Sequence, residues 1–349
     1  MNISEIDKNF IIETTINKQN IVFQNIEESP FTVHGIYMSC GLYRRLPEEV
    51  AKTVNPGVLY SHTKTAGGRV RFITDSPYIA ISAMLHQPSK MSHMPFLGSA
   101  GFDLYGDRKY IGSYQPPIDV QEKFESVIDL PEEHRGKQYT INFPLYSGVK
   151  YLYIGLRKGS RLEKAPDYTI SSPVVFYGSS ITQGGCASRP GTSYQGILSN
   201  NLDFDYINLG FSGNAFGEET IAEYISNLNM SAFVYDYDHN APTTEHLLAT
   251  HEKMFLRIRE KNPHLPILML SRPNYYLTQQ EKLRLEIVRK TYENAIKAGD
   301  KNVYFIPGPD LVPEYIRQFS HVDGVHPSDS GFAGMAYTIE PVLRKMLRL

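Results

Sequence analysis

Cysteine is scarce in this sequence, with only Cys40 and Cys186 among 349 residues. Two thiols cannot build a disulfide framework or a metal cage by themselves, so free thiols in a reducing cytoplasm are expected. Charge of one sign is also missing: 35 Lys and Arg against 37 Asp and Glu leave a formal charge of -2. That balance gives no global pull toward nucleic acid or an anionic membrane, and neither is expected as a partner. No apolar run approaches the roughly 20 residues that cross a bilayer as a helix. The stretch Met1 to Asn20 mixes acidic, basic and polar residues, without the basic-then-apolar order of a secretory signal. A soluble, cytoplasmic protein is the expectation, with assembly into homo-oligomers left open.

What is present suffices for a sizeable core: 41% of residues are hydrophobic and 21% charged, and the length suits two domains, or one with a large appendage. The first half is strand upon strand. Short β-favouring runs occur at Val58 to Ser61, Arg69 to Thr74, Tyr78 to Ala83, Lys109 to Tyr114, Lys123 to Ile128, Gln138 to Phe143 and Val149 to Leu156. Turn residues separate them, and alternation such as Arg69-Val70-Arg71-Phe72-Ile73 predicts an antiparallel sandwich of jelly-roll type. Leu46 to Val54 is its one expected short helix, with Pro47 suited to the first turn and two glutamates after it. The run from Met84 to Met94, with His86 and His93, offers soft metal ligands. No carboxylate or cysteine within it completes a set, so a loop with apolar methionines is favoured. Gly101-Phe102-Asp103-Leu104-Tyr105-Gly106-Asp107 reads as a strand entering a turn at Gly106-Asp107. The charged segment Arg157 to Asp167 carries Gly159 and Pro166 and reads as a connector. It divides the chain into an N-terminal β-sandwich, 1–165, and a second domain, 166–349.

Beyond the connector the pattern alternates between strand and helix. Strands are expected at Pro173 to Tyr177, Tyr206 to Leu209, Ala232 to Tyr235, Ile267 to Leu270 and Val303 to Ile306. Helical spacing fills the gaps at Ser193 to Leu202, Glu218 to Leu228, Glu245 to Glu260, Thr278 to Ala298 and Gly331 to Leu347. Thr278 and Glu281 have capping-box spacing, and Gly299 supplies a stop. Such alternation predicts a parallel sheet with helices on both faces, whose ligands bind at the carboxyl ends of the strands.

The polar residues that stand out fall on that edge. Val174-Val175-Phe176-Tyr177 breaks into Gly178-Ser179-Ser180-Ile181-Thr182, a strand that delivers a serine. Gly213 follows the second strand, Asn240 the third, and Asp323 with His326 the fifth. Ester hydrolysis through a covalent intermediate needs a hydroxyl nucleophile, a base, a group that orients the base, and oxyanion donors. Ser180 is the candidate nucleophile and His326 the base, with Asp323 orienting it across the turn that Gly324 permits. The backbone N–H groups of Ser180 and Gly213 and the amide of Asn240 are the candidate oxyanion donors. Arg272, after the fourth strand, could reach substrate from this edge or serve as a salt-bridged structural arginine. Ser180 does not sit in Gly-x-Ser-x-Gly, and no phosphate-binding glycine motif is present.

The order Ser180, Gly213, Asn240, Asp323, His326 resembles the SGNH (GDSL-type) hydrolase superfamily. Gly101-Phe102-Asp103-Leu104-Tyr105 resembles the Gly-x-Asp-Leu-Tyr motif of the β-domain that precedes one branch of its esterases. Together the resemblances cover nearly the whole chain. They imply a flavodoxin-like three-layer α/β fold with a parallel five-stranded sheet behind a β-sandwich, and serine esterase chemistry with no metal or other cofactor. Ser179 stands where the family has Asp, so a register with Ser179 as nucleophile stays open, although Ile181-Thr182 favours Ser180. Asn240 lacks the usual preceding Gly, and Asp236, Asp238 and His239 beside it raise a metal-ligand alternative to simple loop hydrogen bonding. The expected substrate is a short acyl ester, acetyl foremost, of a small polar alcohol or carbohydrate. An acyltransferase using the same acyl-serine is the alternative.

Overall fold

The computed structural model describes residues 13–349, so the first part of the Met1 to Asn20 stretch lies outside the described residues. Two antiparallel sheets make the first half. One orders Ile21–Asn25, Gly148–Arg157, Tyr78–His86 and Lys123–Asp129 side by side. The other orders Leu162–Glu163, Arg69–Thr74, Lys137–Asn142, Phe102–Gly106 and Lys109–Tyr114, with Thr32–His34 also on Arg69–Thr74. Alternation explains the packing: Ile79, Ile81, Ala83 and Leu85 from one sheet meet Val70, Phe72, Leu104 and Ile141 from the other in one buried cluster. The turn after Phe102–Gly106 falls on Asp107 and Arg108, both at positive φ, one residue later than Gly106-Asp107.

Val58 to Ser61, expected as a strand, lies instead in a helix, Pro56–Ser61. The Asn55 side chain caps it by accepting from the Val58 N–H at 2.9 Å, and Pro56 pre-sets its first turn. Those two local signals outweigh the β-propensity of Val58 and Tyr60. It follows directly on Glu48–Val54, and a further short helix covers Phe96–Ala100, so the first half has more than one helix. Pro47 is the N-cap of the helix and Glu48 and Glu49 fill its first turn. The connector contributes too: Leu162–Glu163 pairs with Thr74 and Ile73 at the sheet edge. The antiparallel sheets end at Glu163 and the parallel sheet begins at Ile170.

The second half is a five-stranded parallel sheet in the order Phe204–Gly210, Ile170–Gly178, Ala232–Asp236, Ile267–Leu270, Val303–Ile306. The first strand in sequence therefore lies second, and the switch point falls between it and Ala232–Asp236, where ligands bind in such sheets. Residues alternate between two cores. Val174 and Phe176 pack with Leu198, Phe332, Met335 and Ile339 of helices Tyr194–Leu202 and Asp329–Leu347. Val175 and Tyr177 pack with Ile221, Leu247, Phe255 and Val288 of helices Glu219–Ser226, Thr244–Lys261 and Gln279–Lys297. The Thr278–Glu281 capping box forms. Among the described residues, no helix is long and apolar enough to cross a membrane.

The first half does not simply stand beside the second. Ala66, Met94, Leu145 and Tyr146 belong to one core of the parallel sheet, and Leu46, Ala51 and Val58 belong to the other. Polar groups lock the same seam: Arg69 pairs with Asp205, and Asp205 also meets His34 at 3.1 Å.

Candidate active site

The strand Ile170–Gly178 runs into a helical turn, Ser180–Gln183. Gly178 is required by a close approach, because a Cβ there would sit 1.8 Å from Asp236 Oδ1. That carboxylate organises the turn: Oδ1 accepts from the Ser179 N–H at 3.1 Å and from the Thr182 hydroxyl at 2.6 Å. Burial pushes the Asp236 carboxyl up to about 6, against these donors and the nearby His239. Its Oδ2 is buried without a hydrogen-bond partner. Ser179 is fully buried and extended, and its Oγ caps the turn by accepting from the Ile181 N–H at 3.1 Å. Its hydroxyl is thus turned into the protein, whereas Ser180 Oγ lies 2.9 Å from His326 Nε2.

His326 follows the last sheet strand on a loop that loops back on itself, with the Val322 N–H donating to the His326 carbonyl at 2.9 Å. Asp323 Oδ2 lies 2.8 Å from His326 Nδ1, which orients the ring so that Nε2 faces the serine. Asp323 Oδ1 accepts from the N–H groups of His326 at 2.8 Å and Val325 at 3.0 Å. Partial burial opposes ionisation of Asp323, but those donors and the imidazole outweigh it and hold the carboxyl well below its usual range. Gly324, at φ +77°, makes the turn that folds Asp323 over its own neighbour. Arg272 braces this loop: Nη1 lies 2.5 Å from Glu281 Oε1 and Nη2 donates to the Gly324 carbonyl at 3.1 Å.

Gly213, at φ +69°, sits in the exposed turn after Phe204–Gly210, and a Cβ there would meet nothing within 4 Å. Asn240 follows the third sheet strand, and its amide oxygen Oδ1 is buried without a partner. Below it, Asp238 Oδ1 meets His239 Nδ1 at 3.2 Å and Oδ2 accepts from the Arg272 N–H at 3.2 Å. Burial acts to raise the Asp238 carboxyl, yet hydrogen bonding to His239 leaves it lowered. Asp236, Asp238 and His239 are thus engaged in fixing the loop. Among the described residues they form no group able to hold a metal ion.

Several residues from the first half reach this site, and of these Tyr146 and Arg45 had no mark in the sequence. Tyr146 donates from its hydroxyl to the Ser180 carbonyl at 3.2 Å. Arg45 is buried against the strand that carries the Gly213 turn, donating to the carbonyls of Asn208 at 3.0 Å and Gly210 at 2.7 Å, and to those of Ser61 and Lys64. Burial lowers its guanidinium to about 9. Asp103 of the Gly-x-Asp-Leu-Tyr segment is fully buried, and its Oδ2 holds the loop after the nucleophile turn through Arg189 Nη1 at 3.0 Å and the Gly191 N–H at 2.8 Å. The burial of Asp103 raises its carboxyl despite the Asn142, Arg189 and Gly191 donors. His93 stands over the site, its ring 5.5 Å from that of His326.

A profile of the GDSL-like lipase/acylhydrolase family matches residues 171–344. A second, the GxDLY N-terminus of SGNH-hydrolase-type esterases, matches residues 21–162. No curated protein matches the chain. Among solved structures, a candidate GDSL-like lipase from Bacteroides ovatus is similar at 27% identity and TM-score 0.84, over 94% of this chain and 98% of that one. A salicylyl-acyltransferase from a tetracycline biosynthetic pathway shares the fold at 21% identity and TM-score 0.77, over 95% and 98%. So does an acetyl xylan esterase from Butyrivibrio proteoclasticus, at 13% identity and TM-score 0.61, over 94% and 99%.

Proposed function

The chain belongs to the GDSL-like lipase/acylhydrolase family, in the branch with a GxDLY N-terminal domain, and on that premise we propose that it removes a short acyl group, acetyl foremost, from a polar alcohol such as a carbohydrate through an acyl-Ser180 intermediate. The observation that carries this reading is the unbroken chain Ser180 Oγ, His326, Asp323, with contacts of 2.9 and 2.8 Å at the carboxyl edge of the sheet. His326 Nε2 takes the serine proton as Oγ attacks the ester carbon. The carbonyl oxygen gains charge against the N–H groups of Ser180 and Gly213 and the Asn240 amide. Collapse expels the alcohol, protonated by His326, and water then enters by the same route to release the acid. Asp323, held ionised at neutral pH, stabilises the imidazolium formed in each half-reaction.

Support for a polar alcohol comes from exposed aromatic rings: Tyr315 and Phe319 lie on the segment that leads into the base-bearing loop and Tyr276 follows the fourth sheet strand, and such rings are suited to stacking on a sugar face. The test is a panel of acetylated sugars and short-chain p-nitrophenyl esters. Acetyl release from sugars by the wild-type protein and none by Ser180→Ala is the expected result, and preference for long acyl chains would overturn the substrate class. Adding an acceptor alcohol separates transfer from hydrolysis, since transfer yields the new ester in place of free acid.

A further inference from the structure

The run Met84 to Met94 lacks the carboxylate and cysteine that would complete a metal set, but the fold brings both to it from the other half. Ligand atoms of His93, Cys186, Asp323 and His326 all lie within 4.8 Å of one another, the one such group of three or more His, Cys, Asp and Glu among the described residues. His93 is not on a stray loop. Met91 and Met94 pair across the turn that carries it, and Met94 is buried in the same core cluster as Cys186 and Ala187. Cys186, at φ +73°, is buried and held in a turn whose Ala187 N–H donates to the Gly184 carbonyl at 3.1 Å. The two halves of the molecule thus present two imidazoles, a thiol and a carboxylate to one point.

That donor set is one zinc prefers, and sulfur with imidazole disfavours magnesium and calcium. A zinc tetrahedron with bonds of about 2.0 to 2.3 Å places its ligand atoms roughly 3.3 to 3.8 Å apart. Closure from the observed spacing asks for about an ångström of movement, which the exposed His93 side chain and the exposed Asp323 loop can supply. We propose that His93, Cys186, Asp323 and His326 form an inhibitory zinc site, in which the bound ion takes the imidazole and carboxylate away from Ser180 and switches the esterase off reversibly. The metal is an inhibitor here and not a cofactor; it enters as Zn2+, and the thiol releases its proton to solvent on becoming a thiolate ligand. His93 and Cys186 serve the metal, while Asp323 and His326 are shared with catalysis, so occupancy and turnover exclude each other. The inhibitory consequence rests on the proposed catalytic roles of Asp323 and His326; the binding itself does not.

The experiment has two arms. Hydrolysis of p-nitrophenyl acetate by the purified full chain is titrated with Zn2+ and then with EDTA. Low-micromolar inhibition that EDTA reverses is expected, weakened at least about tenfold in both His93→Ala and Cys186→Ala, whose metal-free activity stays near wild type. In the second arm Co2+ replaces Zn2+ as a spectroscopic probe in the Ser180→Ala variant. A thiolate-to-cobalt charge-transfer band is expected, lost on adding Cys186→Ala and reduced by His93→Ala. Inhibition that is unchanged in both single variants would mean that the catalytic groups alone hold the ion, and would overturn the proposal, as would absence of the cobalt band. A cobalt band in Ser180→Ala together with a wild-type protein that has no esterase activity would sustain the site while sinking the catalytic reading.

Discussion

Ser180 and His326 meet at 2.9 Å, but they arrive on turns of opposite character. Ser179, Thr182 and Gln183 are buried to within 1%, and the turn is fixed by donors and acceptors from both halves: Asp236 from the sheet, Tyr146 from the sandwich, and Gln183 itself donating to the Leu145 carbonyl at 3.1 Å. On the other turn Val322, Asp323 and Gly324 are exposed. It relies on its own short-range bonds, with Arg272 at Gly324 and His321 Nε2 at 2.7 Å from the Pro273 carbonyl as outside braces. The difference teaches that the nucleophile is preorganised by burial, while the base is aimed by local hydrogen bonds that must work near solvent. Apart from the nucleophile itself, changes at the first turn should therefore cost stability, and changes at the second chemistry alone.

The largest effect separates the two serines. Ser180→Ala should lower kcat/KM for p-nitrophenyl acetate by at least about 10⁴-fold with unchanged unfolding. Ser179→Ala should keep the nucleophile but lose a helix cap, costing about 1 kcal/mol in denaturant unfolding. On the exposed turn, Asp323→Asn should reduce kcat by about 10³- to 10⁴-fold with little loss of stability; a large drop in Tm would show that this turn, too, holds the fold. Asn240→Ala should cost about 10²- to 10³-fold, in kcat more than in KM.

A smaller effect is expected at the seam. Arg45→Lys keeps the charge but cannot reach all the carbonyls the guanidinium serves. It should lower kcat by about tenfold through the Gly213 turn, and lower stability by about 2 kcal/mol through the buried carbonyls left unpaired. Steady-state kinetics with urea unfolding on the same samples tests both. The smallest effect is a pH slope. The folded Asp236 carboxyl is raised to about 6 from an ordinary 3.8, so across that window the folded chain binds more protons than the unfolded one. Its contribution to stability is complete below the unfolded value and lost as pH rises through the folded one. Unfolding free energies of wild type minus those of Asp236→Asn should therefore fall as pH rises between 4 and 6; a flat difference would mean that the carboxyl is ionised throughout.

Much of the second half was legible because its signals are local. Ile267–Leu270 and Val303–Ile306 are short apolar runs between helical patterns, and the strands end where those runs end. The residues that stood out, from Ser180 to His326, stand at strand ends that a doubly wound sheet must bring to one edge. The first half was less legible where tertiary context overrides propensity, as in Pro56–Ser61, whose cap and packing prevail over a β-favouring run. The contributions of Tyr146 and Arg45 to the site had no sequence signal, because each is an ordinary polar residue more than 30 positions from its partner and nothing in its own spacing marks the contact. Asp103 was visible through its motif, but its job of holding Arg189 and Gly191 shows only once the halves are joined.

The most direct test of the central claim is to map the site of covalent modification. The folded protein is treated with a reactive organophosphate to complete loss of esterase activity, then digested and sequenced by mass spectrometry. One phosphorylated side chain is expected, Ser180, with no labelling of Ser180→Ala. A label on Ser179 or Cys186, or an active protein that resists labelling, would contradict it.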